Sequence, residues 1–179
     1  EDNPMSNEKV TLGRFLFYDK QLSANASQAC ADCHQQDKAF SDGQVTAIGS
    51  TGIVHPRNSQ ALVNTAFNHS LTWNNPDVTS IEQQIVIPLF GSSPVEMGLS
   101  EQNKNSVLAR FQESPSYISL FNKAFPDESA PVNFKNIVKS IAVFIRTMNG
   151  YNSAFDRFQQ GEKNALSPSA QRGMALFLS

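Results

Sequence analysis

The only two cysteines of the chain lie in one pentapeptide, Cys30-Ala31-Asp32-Cys33-His34. Two thiols one helical turn apart, followed at once by an imidazole, form the attachment signal for a c-type haem. Each thiol can add to one vinyl group of a porphyrin, and the histidine then gives a ring nitrogen to the iron. Other chemistry fits less well. A structural zinc site takes four ligands, and there is no second cysteine pair to supply them. A redox dithiol of this spacing expects a βαβ surrounding, which the sequence lacks, and a structural disulfide more often joins partners further apart.

The elements that must hold such a group read as helices. Asn7 to Tyr18 is expected to be the first, capped by Ser6 or Asn7, with Leu12, Phe15 and Leu16 as its apolar stripe. Gly13 inside it costs helix stability and so marks close approach by another backbone or by the cofactor. Small polar residues from Gln21 to Gln28 lead to the haem motif. Gln35 to Pro56 reads as an irregular loop, supported by the cofactor face. Apolar spacing returns through Leu62, Val63 and Ala66, and Trp73 precedes a polar turn, Asn74-Asn75-Pro76. Ser80 caps a short helix with Ile81, Ile85 and Val86, which Pro88 is expected to end. Glu96 follows in a loop, a carboxylate among apolar neighbours. Ser100 is expected to open a helix carrying Val107, Leu108 and Phe111, and Tyr117, Leu120 and Phe121 belong to the next. Asn133 to Asn149 has the clearest helical pattern, through Phe134, Ile137, Val138, Ile141, Ile145 and Met148, with Gly150 at its stop. Phe155 and Phe158 anchor a further segment, and Ser167-Pro168 starts a last helix. No alternating run of useful length appears, so the class is all-α.

Composition narrows the partners. The chain has 179 residues, a net charge of −2 and 17% charged residues, and without a basic stripe it is not expected to bind nucleic acid. No run reaches the roughly eighteen apolar residues that a spanning helix needs, so no membrane span is expected. Glu1-Asp2-Asn3-Pro4 reads as the start of a mature exported form. Because haem c is attached outside the cytoplasm, a periplasmic location follows as an expectation.

Several strings together resemble the bacterial di-haem cytochrome c peroxidase and MauG family. They are Leu12 to Asp19, Leu22-Ser23, the haem motif with Phe40-Ser41-Asp42-Gly43, and Arg57 to Asn64. Pro94-Val95-Glu96-Met97-Gly98, Phe144-Ile145-Arg146-Thr147 and Phe155-Asp156-Arg157-Phe158 continue them in order. The resemblance implies a cytochrome c-like fold with long irregular loops, residues 1–165 forming the peroxidatic haem domain. Residues 166–179 would then begin a second haem domain that this chain truncates.

The resemblance also implies roles. Glu96 resembles the distal carboxylate that moves a proton between the peroxide oxygens, a step suited to a carboxyl held near iron. Gln84 resembles the glutamine of the same pocket, and Trp73 the tryptophan between the two haems. Asn58 resembles a ligand of a calcium ion at the domain boundary. Hydrogen peroxide is the implied substrate, with electrons from a donor protein such as a cytochrome c or cupredoxin, or with a protein substrate in the MauG case. A homodimer is one assembly that the resemblance allows. Two departures stand out. Where some relatives carry a second histidine ligand this chain has Ser50, with His55 about five residues later, which points toward MauG-like members. Eight positions separate Pro88 from Glu96, longer than the family spacing, and that leaves the placement of Pro88 and Phe90 over the haem open.

Plainer roles stand beside these. His55 reads as a solvated or hydrogen-bonded loop residue, and His69 as a surface one. Met97 and Met148 are candidate sixth ligands that methionine chemistry equally makes core filler. Arg57 and Arg14 suit haem propionates or ordinary surface positions. Three functions therefore compete: a peroxidase, a MauG-like oxidase of tryptophan or tyrosine on a partner, and an electron-carrying cytochrome without peroxide chemistry. Glu96 and Gln84 favour the first two.

Overall fold

The computed structural model describes residues 2–73 and 75–179, so Glu1 and Asn74 of the expected polar turn lie outside the described residues. Among the described residues, eight α-helices run in the order α1 (Asn7–Tyr18), α2 (Cys30–Cys33), α3 (Ile81–Phe90), α4 (Lys104–Gln112), α5 (Pro115–Ala124), α6 (Phe134–Ile145), α7 (Ala154–Gln159) and α8 (Pro168–Leu178), joined by loops and single 3-10 turns. Among the described residues, β pairing is limited to three isolated antiparallel bridges. The chain divides after Met148 into two compact units.

The first unit is built on the crossing of α1 and α6. Ser6 Oγ accepts from Lys9 N–H at 3.2 Å and starts α1. The buried face of this helix is Leu12, Gly13, Leu16 and Phe17, whereas Phe15 of the expected stripe is half exposed. At about 100° per residue those four span one arc and Phe15 falls outside it. Gly13 decides which arc is buried, since a Cβ there would overlap the backbone carbonyl of Ser140 in α6. α6 starts at the Asn133 cap, which accepts from Asn136 N–H at 2.9 Å, and buries residues on every side rather than on one face. It stops at Ile145, short of Asn149. The amides of Thr147 and Met148 instead bond three residues back, to Phe144 and Ile145, which tightens the chain into a turn.

α3 and α5 complete the core. The Ser80–Gln83 capping box begins α3, but Pro88 does not end it. The helix runs on to Phe90 because donors outside it meet its last carbonyls: Gly91 N–H on Ile87, Met97 N–H on Pro88 and Leu99 N–H on Leu89, at 2.7, 2.9 and 2.9 Å. Thus the loop carrying Glu96 closes the end of α3. α4 starts at Lys104 after an Asn103 cap rather than at Ser100. Asn103 Oδ1 accepts from Ser100 N–H and its Nδ2 donates to Gly98 O, so residues 98–103 form a turn of their own.

Two polar ties join segments distant in sequence. The Arg110 guanidinium on α4 donates to the carbonyls of Gln21, Ser23 and Ala24 at 2.7–2.8 Å, fixing the segment before the haem motif. Near the N-terminus, buried Asn3 donates to Glu82 Oε1 at 2.7 Å, and Arg146 donates to the same oxygen at 2.6 Å and to Asn3 O at 3.1 Å. In the second unit, Ser153 and Asp156 form a capping box that opens α7. Ser167 Oγ accepts from Ala170 N–H at 3.2 Å to start α8, as expected. Leu176, Phe177 and Leu178 are exposed on that helix.

Candidate functional site

The haem motif is a single helical turn pinned at both ends. Ala29 N–H donates to Asp32 Oδ2 at 2.8 Å, and His34 N–H to Cys30 O at 2.9 Å. That turn places the two sulfurs on one side with His34 at its end. The His34 ring is fixed by its Nδ1, 2.8 Å from the Phe40 carbonyl. A carbonyl only accepts, so Nδ1 carries the proton and Nε2 keeps a lone pair for a metal. Ala39 and Phe40 both take left-handed backbone, φ 55° and 59°, which folds the chain back so that this carbonyl meets the ring. Phe17 of α1 supports the arrangement, its centroid 6.4 Å from His34 and 6.2 Å from Phe40.

These groups border a cavity of about 310 Å³. Its apolar wall comes from α3 and α6, notably Ile81, Ile85, Leu89 and Ile141. Of the residues expected at the site, Cys30, Cys33, His34, Arg57, Asn58, Trp73, Gln84 and Glu96 line it. Trp73 does so at the edge, with 82% of its surface exposed. Asn58 and Arg57 are exposed as well. Arg14 is exposed on α1 and is not among the lining residues, and Met148 packs in the core. Met97 is both core and lining.

Burial sets the electrostatics. It pushes the Cys30 thiol up to about 12 and raises Cys33 too, with Gln28 and Ser59 hydrogen bonds working against the rise at Cys33. It lowers His34, opposed by the carbonyls of Phe40 and Gln60 and by Asp42, so the imidazole is neutral as a metal ligand must be. Glu96 is raised above the usual carboxylate range by desolvation, and the nearby His55 counters this in part.

Three residues of the site escaped sequence reasoning. His55, expected as a loop residue of solvated or hydrogen-bonded kind, is hydrogen-bonded but buried, with 8% exposure and Nε2 3.2 Å from the Val95 carbonyl. Buried Gln28 donates to Cys33 Sγ and to Ile48 O, both at 3.0 Å. Buried Asp42 accepts from Ser59 Oγ at 3.1 Å, joining the motif loop to the 57–62 segment. Only Asp42, inside the Phe40 to Gly43 string, lay in a motif the sequence had singled out.

The site fits a covalently held haem. Both thiols and a neutral imidazole with an available Nε2 face one apolar cavity, and Gln84 Oε1 is buried on its wall with no hydrogen-bond partner among the described residues.

Comparison with known proteins agrees with this geometry. The family model described as di-haem cytochrome c peroxidase matches residues 7–164. The chain is 34% identical to the methylamine utilization protein MauG of Methylophilus methylotrophus over 98% of its own length and 50% of that protein's. It is 30% identical to the cytochrome c551 peroxidase of Pseudomonas aeruginosa, covering 98% of this chain and 49% of that one. A solved MauG-like protein associated with microbial copper homeostasis superposes with a TM-score of 0.96 at 43% identity, over 99% of this chain and 51% of that structure. The chain thus spans about half the length of the curated relatives it matches. With the haem motif, the cavity and the match over most of its length in agreement, the chain belongs to the di-haem cytochrome c peroxidase family, the haem c oxidoreductases that include MauG.

Proposed function

We propose that this chain forms the peroxide-reacting half of a di-haem enzyme. Hydrogen peroxide is reduced there to water, with two electrons from a donor protein and two protons taken up. When bound through Cys30, Cys33 and His34, the haem supplies an iron that binds peroxide and exchanges electrons. The chain supplies the rest. His34 gives Nε2 while its Nδ1–H stays on the Phe40 carbonyl. Burial makes the Glu96 carboxylate a stronger base than an ordinary glutamate, so it takes the proton from one peroxide oxygen and hands it to the other. Gln84 Oε1 accepts a hydrogen bond from the entering molecule, and Arg57 pairs with a haem propionate. Trp73, exposed at the cavity edge, serves as an aromatic step for electrons from a second haem. Residues 166–179 lead into the domain carrying that haem, and Asn58 is one ligand of a calcium ion whose other ligands lie outside this chain. Attachment of haem c places the protein in the bacterial periplasm.

The observation that carries this reading is a half-buried carboxyl, raised by burial, on the same cavity as the imidazole of the haem motif. In the full-length haem-loaded protein, Glu96→Gln is expected to slow peroxide consumption by about 10² to 10⁴, the range of general acid–base catalysis. An unchanged rate would remove Glu96 from the mechanism.

The likeness to a MauG-like structure at 43% identity favours a second reading, oxidation of a tryptophan or tyrosine on a partner protein. Turnover with a reduced cytochrome, set against a mass change on a co-expressed partner, separates the two.

A further inference from the structure

Glu96 sits in a loop, and a loop carboxyl transfers protons efficiently only if something holds it in place. On its C-terminal side the segment is tied down through Met97, whose N–H bonds Pro88 O and whose carbonyl accepts from Ala24 N–H, both at 2.9 Å. Both peptide carbonyls flanking Glu96 are also taken up by one neighbouring turn. Ser50 N–H donates to Glu96 O at 2.8 Å, and His55 Nε2 lies 3.2 Å from Val95 O. The turn is itself rigid: His55 N–H bonds Ala47 O at 2.8 Å, Gly49 N–H bonds Ile53 O at 3.0 Å, and Asn25 Nδ2 holds Ser50 O at 2.8 Å. Packing is tight at the point of contact. A Cβ on Gly49 would overlap the Val95 carbonyl and come within 2.9 Å of His55 Nε2. His55 is buried and on the cavity wall, where an imidazole without a hydrogen bond would be costly.

We propose that His55 is a positioning residue for Glu96. By donating from Nε2 to the Val95 carbonyl it completes a clamp in which the 47–55 turn holds the backbone on both sides of the carboxyl. This rests on the reading of Glu96 as the proton-transfer group. The role belongs to the donor nitrogen at its reach, not to the bulk of the ring. Glutamine can place an amide N–H near the position of Nε2, asparagine is too short, and leucine has no donor.

The test uses the full-length haem-loaded protein. His55→Leu and His55→Asn are each expected to slow the reaction with peroxide roughly tenfold, the effect of leaving one buried acceptor unpaired, and His55→Gln to recover most of that loss. Amide exchange at Ser50 and Met97 is expected to quicken roughly tenfold in the first two and stay near native in the third. In a Glu96→Gln background none of the three is expected to change the rate further, because residues acting through one group do not add. Native rate and native exchange in His55→Asn would overturn the proposal, as would equal losses in all three variants. So would His55 substitutions that slow the Glu96→Gln protein as much as the native one. If Glu96→Gln alone leaves the rate unchanged, the peroxide reading fails while amide exchange still decides the clamp.

Discussion

Burial sets Glu96 apart from the other glutamates near the surface. Its carboxyl is raised chiefly by desolvation, so the protonated form is the one the fold favours. The stability this gives is present below the ordinary glutamate range and is lost as pH rises through the raised folded value. Glu96→Gln removes that loss. The variant is therefore expected to gain in thermal midpoint over the native protein as pH is raised from 4 to 8, and an equal difference at both ends would contradict it. His34 is subject to the same force with the opposite sign, since burial keeps its ring neutral. Sequence alone could place Glu96 among apolar neighbours and His34 beside two thiols. It could not tell that His55 is buried, because a histidine before a proline gives no sign of which carbonyl lies forty residues on.

At the scale of elements, most helix starts were legible, Ser100 excepted, and so was the stop of α1 at Tyr18, whereas the stops of α3 and α6 were not. Ser6, Ser80, Asn133 and Ser167 all cap as their types suggest, because an N-cap is a local bond to an amide three residues on. Stops depend on who satisfies the last carbonyls. Pro88 fails to end α3 because Met97 and Leu99, from the loop that follows, donate to that helix's end. α6 ends early because Thr147 and Met148 turn back on it. Gly13 is the element-scale exception, a contact foreseen from a residue that weakens its own helix. Gly13→Ala should gain helix propensity yet lose stability overall, by about 1–3 kcal/mol, because the added carbon would overlap Ser140 and force the backbones apart. Denaturant midpoints of the two proteins would measure it, and a stabilised variant would disprove the crossing.

The first unit as a whole is held by contacts that bridge its ends. Glu82 on α3 accepts from both Asn3 and Arg146, so the N-terminal segment, the middle helix and the end of α6 meet on one carboxylate oxygen. Because α3 also carries Gln84 and much of the cavity wall, this junction keeps the site in register. Glu82→Ala is expected to cost about 1–3 kcal/mol in urea unfolding, since it removes the charged acceptor that Asn3 and Arg146 share, and to loosen α3 in amide exchange. A change below about 0.5 kcal/mol would mean that the junction is no better than an exposed pair.

What the sequence by itself determined is the chemistry and the class of fold. Covalent haem attachment is written in five consecutive residues, and helix periodicity in short windows, so neither needs a distant partner to be read. Only the tertiary structure decided which face of α1 is buried, where α3 and α6 stop, and that a turn near residue 50 grips the peptides around Glu96. The first and the last depend on contacts between segments tens of residues apart, and the two stops on turns that bring later amides back onto a helix end, so no helical periodicity encodes where those carbonyls will be met.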